Sequence, residues 1–205
     1  MFLFLIFFSI LELQIVRLKY DGGGDWYNDP EIIPNLSREI EKRTGINIIE
    51  REVVLDVGDR RIRNYPFLFM TGHGKVELSE IDAKNLREYL ESGGFLYIDD
   101  DYGMDKYIRG EIKKIFPEKE LKEVPFDHPI YNIFYKFEKG LPKIHEHYEG
   151  PPKGYGIFIG DRLCLFYTYN SNISDGWTDA YGDPPEIREE AIKMGINIFL
   201  YAITY

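Results

Sequence analysis

Four stretches of the chain share one layout: an apolar run that stops abruptly in glycine and polar or acidic residues. Residues 15–20 run into Asp21-Gly22-Gly23-Gly24-Asp25-Trp26, and residues 66–70 into Thr71-Gly72-His73-Gly74. Residues 95–98 run into Asp99-Asp100-Asp101-Tyr102-Gly103, and residues 163–169 into Asn170-Ser171-Asn172-Ile173-Ser174-Asp175-Gly176-Trp177. Short, fully apolar runs such as 66–70 are what strands buried on both faces require. If the runs are parallel strands, all four clusters meet at the carboxyl edge of one sheet, where open α/β sheets bind ligands. The layout predicts where a site lies and leaves its chemistry open.

The remaining segments supply what a parallel sheet needs. Val16, Leu18 and Tyr20 share one face of the first strand, with Arg17 and Lys19 on the other. Asp29 before Pro30 reads as a helix start, Pro34 as its restart, and Gly45 as its end. Residues 46–55 are β-branched and read as the second strand, followed by a polar, turn-like stretch over 56–64. Ser79-Glu80-Ile81-Asp82 has the spacing of a capping box, and its helix stops at Gly93-Gly94. Residues 105–116 form a further amphipathic helix. Gly160-Asp161 parts two strand-like runs with the chemistry of a two-residue hairpin. Asp183-Pro184-Pro185-Glu186 opens a last helix with Ile187, Ala191, Met194 and Ile198 on its buried face. The fold expected is α/β: a three-layer sandwich with a mostly parallel central sheet plus an antiparallel hairpin, one domain over residues 14–205.

Composition narrows the partners. The net charge of −10 argues against nucleic acid and against an anionic membrane surface. The single cysteine, Cys164, excludes an intramolecular disulfide and, inside an apolar run, reads as a small core residue. Residues 1–13 form an apolar signal-like or anchor segment, too short for the ~20 residues of a membrane span. Neither a preceding basic residue nor a small-x-small cleavage site accompanies it. The expectation is an exported or membrane-anchored protein on the periplasmic side, with a small-molecule ligand and envelope proteins as partners.

All four histidines sit in loop-like contexts: Thr71-Gly72-His73-Gly74, Asp127-His128-Pro129 and Ile144-His145-Glu146-His147. His145 and His147 are two apart, so on a strand they point the same way. Adjacent carboxylates repel, so Asp99-Asp100-Asp101 calls for a cation or a raised pKa. His73, Asp99, Asp101, His145 and His147 are the candidate ligands of a divalent metal. Capping and solvation of the Asp triplet is the alternative. Asp21-Gly22-Gly23-Gly24-Asp25 lacks the spacing and the lysine of a phosphate loop, and its glycines let the backbone pass close to a ligand or a neighbouring loop. Trp26, Tyr27, Tyr102, Tyr169 and Trp177 crowd the same edge. Aromatic faces beside carboxylates suit a polyhydroxylated ligand; mutual packing of the rings is the alternative.

These residues also carry a resemblance. Tyr20-Asp21-Gly22-Gly23-Gly24-Asp25-Trp26-Tyr27, Thr71-Gly72-His73-Gly74, Gly93-Gly94-Phe95-Leu96-Tyr97-Ile98-Asp99-Asp100, Phe126-Asp127-His128-Pro129, Leu141-Pro142-Lys143-Ile144-His145-Glu146-His147 and the 169–177 segment resemble the bacterial family called domain of unknown function 4159. The resemblance implies a class I glutamine amidotransferase-like fold, frequent export and no established activity. Against that superfamily, the position of the nucleophilic cysteine reads Asp99-Asp100-Asp101-Tyr102-Gly103, and the late His-x-Glu position reads Tyr169-Asn170-Ser171-Asn172. Thiolate-driven ammonia release from glutamine is therefore not expected. The chain is also similar to the ThuA-like branch, which is linked to sugar utilisation and likewise lacks the thiol; that is a fold-level analogy.

Three functions follow as expectations. The first is binding of a polar, carbohydrate-like small molecule by Asp21, Gly23, Asp25, Trp26, His73, Asp100, Tyr102, Asn170, Asp175 and Trp177. The second is a metal-assisted or Asp/His-dependent hydrolase with Asp100, Asp101 and His73 as catalytic candidates. The third is a structural or interaction module of an envelope complex.

Overall fold

The computed structural model describes residues 13–205. The apolar segment at 1–12 lies outside the described residues, and Leu13, grouped with it above, instead opens the first strand. Seven strands form one sheet: β1 (Leu13–Lys19), β2 (Ile48–Asp56), β3 (Phe67–His73), β4 (Phe95–Tyr102), β5 (Lys122–Glu123), β6 (Lys153–Ile159) and β7 (Arg162–Tyr169). Four helices accompany them: α1 (Ile32–Thr44), α2 (Glu80–Glu91), α3 (Asp105–Ile115) and α4 (Pro185–Thr204). Across the sheet the order is β2-β1-β3-β4-β7-β6-β5. The first five strands in that order are parallel, and β6 and β5 add antiparallel to β7. The architecture is thus α/β with a mostly parallel sheet, and Gly160-Asp161 turns the β6–β7 hairpin as its residue types predict.

Alternation along the strands divides the core into two layers. Ile15, Phe67, Phe69, Phe95 and Tyr97 face α1 and α4, while Val16, Leu68, Leu96 and Ile98 face α2 and α3. Each buried strand is therefore apolar on both faces. Arg17 departs from this rule. It lies on the α1 side of β1 and is only 1% exposed.

Helix ends follow local chemistry, with one exception. Ser79 and Asp82 form the reciprocal capping box of α2. Gly45 closes α1 in the left-handed conformation at φ 74°, its N–H bonded to the Glu41 carbonyl. The start of α1 differs from expectation. The helix begins at Ile32, runs through Pro34 in its first turn without a restart, and takes no side-chain cap. Asp29 stands before it with φ 50°, outside the helix. Its side chain is turned toward the carboxyl edge of the sheet.

Strand order reverses at β1. The chain leaves β1 for β2 on one side, then crosses to β3 on the other. The crevice between the loops after β1 and β3 is the switch point at which such sheets hold ligands. The β4 and β7 exits lie next to it.

Candidate functional site

Strand geometry assigns the three consecutive aspartates to three tasks. Side chains alternate, so Asp99 and Asp101 share the α1 side and Asp100 takes the other. Asp99 is fully buried and accepts from the Ser174 backbone N–H at 2.6 Å and the Ser174 hydroxyl at 2.7 Å, with Thr168 as a third donor. It anchors the loop after β7 and has no open side toward the site. Asp100 accepts from the Met104 N–H at 2.9 Å and from Tyr167 at 3.3 Å, so it fixes the entry to α3. Burial pushes its carboxyl up to about 6, with Asp105 and Asp99 adding to the rise. Asp101 alone turns into the crevice.

Around Asp101 the four loops converge. Asn28 and Asn172 donate to its two oxygens, the latter at 2.9 Å, and His73 Nδ1 lies 3.2 Å away. His73 also meets Asp25 at 3.0 Å, joining the β1 and β3 loops across the switch point. Oxygens of Asp29, Asp101 and Asp175 lie within 4.8 Å of one another. Asp175 is held by Asn172 at 3.1 Å and by His145 Nδ1 at 2.9 Å. Burial holds Asp101 well above the usual carboxylate range, with Asp175 and Asp99 adding repulsion. His145 is pushed up to about 9, first by its hydrogen bond to Asp175 and further by Asp183 at 3.1 Å. His147, by contrast, is lowered by burial and by the His145 charge, and its Nε2 lies 3.0 Å from Asn172 Nδ2.

The His145 and His147 segment reaches the edge without being a strand. The Ile144 N–H bonds to the Ser171 carbonyl at 2.8 Å, which docks the segment on the β7 exit. Both rings then face the acidic cluster, 5.8 Å apart. Asn170 holds the segment further on, accepting from Tyr148 N–H and donating to the Gly150 carbonyl. It positions loops and does not itself enter the crevice. The segment also supplies an aromatic platform. Tyr102, 48% exposed, packs against His147 at 4.9 Å and stacks on Tyr148 at 5.4 Å.

Trp177 has a different place from the one expected for a stacking ring. It is 1% exposed, packs on Phe69 and Tyr97, and donates from Nε1 to the Ala191 carbonyl at 3.0 Å. Its indole ties the β7 exit to α4 and presents no face to a ligand. Trp26 is partly buried and meets Tyr27 edge-on. Asp21 and Gly23 belong to a loop that docks on residues 75–77 through Glu77 N–H to Asp21 O and Gly24 N–H to Lys75 O. Among the described residues no hydrogen bond joins either of them to the Asp101 cluster. Gly72 explains how that loop closes on β3. At φ +137°, a Cβ there would lie 2.4 Å from the Tyr20 hydroxyl and 3.0 Å from Asp25 Oδ1.

Sequence reasoning missed Asn28, Asp29, Asn172, Tyr181 and Asp183. Tyr181 donates to Asp29 and Asp183 accepts from His145. It also missed Arg17, which builds the wall that carries two of them. The Arg17 guanidinium donates to the carbonyls of Trp26, Asn28 and Asp29 at 3.2, 2.8 and 3.0 Å, and to Glu52 at 2.9 Å. An arginine in the middle of a mainly apolar strand was the available signal. A buried charge demands partners, and the following loop is where carbonyls are found.

Cys164 sits buried in mid-strand β7, and burial pushes its thiol up to about 11. That is the setting of a packing residue and not of a nucleophile. Among the described residues no helix is long and apolar enough to cross a membrane. No curated protein matches the chain. The sequence model described as Domain of unknown function (DUF4159) matches residues 14–203, so the protein belongs to that family.

Proposed function

We propose that the carboxyl edge binds a polar, carbohydrate-like small molecule, with Tyr102 as the stacking face and Asp25, His73 and Asp175 as hydrogen-bonding groups. The observation that carries this reading is the exposed Tyr102 ring, backed by Tyr148 and His147, beside a dense set of carboxylates and imidazoles. Aromatic faces take the apolar face of a sugar ring while neighbouring acceptors take its hydroxyls. The test is a panel of neutral, acidic and amino sugars and polyols, screened by ligand-observed NMR on the purified chain. A binder is expected to lose at least ~10-fold in affinity in Tyr102→Ala, from loss of one stacking contact. Unchanged affinity in that variant would overturn the reading.

A second reading rests on protonation. His145 is pushed up to about 9 and Asp101 is held above the usual carboxylate range, while His73 meets Asp25 and Asp101 alongside. A carboxyl and an imidazole of raised proton affinity in one crevice suit acid–base hydrolysis. Ester, amide and glycoside substrates are its test, with an Asp101→Asn loss of ~100-fold or more expected for a proton-transfer role. A rate that Asp101→Asn leaves intact removes it.

We further propose that the fold is of the class I glutamine amidotransferase-like type, in its thiol-free ThuA-like form. The β2-β1-β3-β4-β7 parallel order and the aspartates at the expected elbow support this. Export or membrane anchoring through residues 1–13, and contact with envelope proteins, are also proposed; the apolar composition of that segment supports them. Fractionation of tagged protein tests that placement, and recovery in the cytosol alone would refute it.

A further inference from the structure

The crevice contains more buried acceptors than donors. Asp29 Oδ2, Asn28 Oδ1 and Asn172 Oδ1 are buried without a donor among the described residues. Buried polar atoms in folded proteins nearly always have partners, so three orphans in one place need an explanation. All three are oxygens, and all three stand around Asp101. Asn28 and Asn172 donate to Asp101 through their amide nitrogens. Asn172 is 1% exposed, and its Nδ2 lies between Asp101 at 2.9 Å and Asp175 at 3.1 Å. Amide geometry sets its unpartnered Oδ1 roughly 2.3 Å from that nitrogen. The side chain that bridges the two carboxylates thus carries an unpartnered, buried oxygen.

Unpartnered oxygens take a hydrogen from a donor or a bond to a cation, and beside three crowded carboxylates a cation also relieves the repulsion. The neighbouring imidazoles are already engaged with carboxylates: His73 with Asp25 and Asp101, His145 with Asp175 and Asp183. Arg17, which touches the 26–29 loop, spends its donors on backbone carbonyls and Glu52. Three carboxylate oxygens within 4.8 Å of one another can share one Ca²⁺ ion at bonds of about 2.3–2.6 Å, and after slight contraction Mn²⁺ or Mg²⁺. Carboxylate and amide oxygens are hard ligands, which disfavours soft metals. The histidines take the outer position, orienting ligating carboxylates.

We propose that Asp29, Asp101, Asp175 and the Asn172 carbonyl bind one hard divalent cation at the carboxyl edge. This replaces the ligand set read from the sequence: Asp99 is consumed by Ser174 and Thr168, and His73 and His145 support ligands without being ligands. The site goes beyond the carbohydrate reading and does not depend on it. A net charge of −10 also raises the local concentration of divalent ions.

The test uses the purified chain after chelator treatment and exchange into metal-free buffer. CaCl₂, MgCl₂ and MnCl₂ are titrated separately by calorimetry and thermal melting, with Mn²⁺ followed also by loss of its free electron-spin-resonance signal. One ion per chain is expected, with a melting-temperature rise of about 5–10 °C at a hundredfold excess over Kd. Asp29→Asn, on a partly exposed loop residue outside the core, should weaken binding at least tenfold, as should Asp175→Asn. Asp21→Asn, an exposed acid of the same loop, should bind as the parent does. Tyr102→Ala should keep the cation while losing any sugar, which separates failure of one reading from failure of the other. No saturable binding of any of the three ions below millimolar concentration would overturn the proposal. So would binding that Asp29→Asn and Asp175→Asn leave unchanged.

Discussion

Three neighbouring carboxylates behave differently because a strand alternates. Asp99 braces the β7 exit, Asp100 fixes the start of α3, and Asp101 faces the crevice. Their substitutions should separate accordingly. Asp100→Ala removes a hydrogen bond to a helix-entry N–H and is expected to cost about 1 kcal/mol in a denaturant melt. Asp101→Asn keeps the shape and removes the titratable carboxyl from a crowded acidic site. It is expected to melt no lower than the parent in chelator, yet to lose the rise that a divalent ion gives the parent. Arg17→Met should be the most damaging of the set, about 3–5 kcal/mol, because it strands Glu52 and three carbonyls. Hydrogen exchange in residues 26–29 should quicken in that variant. The split between Asp99/Asp101 and Asp100 was legible in the sequence, since it needs only the period of two. Asn28, Asp29 and Asn172 were not. They lie in loops, and their directions are set by Arg17 and Asp99 through contacts of long sequence separation.

At the level of elements, most boundaries followed local rules. The capping box at Ser79 and Asp82, the hairpin at Gly160-Asp161 and the glycine after α1 are where their residue types require them. Ser79→Ala is expected to cost about 1 kcal/mol, seen as a lower melting temperature. The helix-start reading of Asp29 failed because a competing demand won: its backbone is held by Arg17 and its side chain by Tyr181. His128 shows an element end with a pH response. Its Nδ1 accepts from the Ile130 N–H at 3.2 Å, at the start of the 3-10 turn Pro129–Tyr131. Its ring packs on Phe158 and Tyr201, with Asp127 as the neighbouring charge. Burial lowers its pKa below the ordinary 6.5. The unfolded chain therefore protonates here before the folded one, so stability is full above about 6.5 and falls as pH drops below it. His128→Asn, which retains an acceptor for the turn, should flatten that part of a melting curve series between pH 7 and 5. An unaltered slope would show that other groups control it.

Over the whole molecule, the sheet edge was foreseeable and the depth of its aromatic residues was not. Four apolar runs ending in polar clusters announce a parallel sheet with a functional rim, because buried parallel strands have no polar face to show. The same patterning cannot tell a ring that roofs the rim from one that fills the layer beneath it. Tyr102 and Trp177 both follow polar segments at strand exits, yet one is half exposed and the other is core. Trp177→Ala is accordingly expected to cost about 3–5 kcal/mol and to lower the cooperativity of unfolding, as a core truncation does. Tyr102→Ala should leave the melting temperature within about 2 °C of the parent, the scale of a surface change in a chain of this size.

The Arg17–Glu52 tie couples the rim to the border of the sheet. Glu52 stands on β2, which is the outermost strand and pairs only with β1. Until β2 has docked, the guanidinium has no carboxylate to orient it, and the 26–29 loop has no fixed donor to close upon. The acidic rim thus depends on a border strand: with β2 loosened, Arg17 loses its carboxylate and the 26–29 loop loses the donor that is held in place for it. A change on β2 that leaves every crevice residue in place is therefore expected to reach the site.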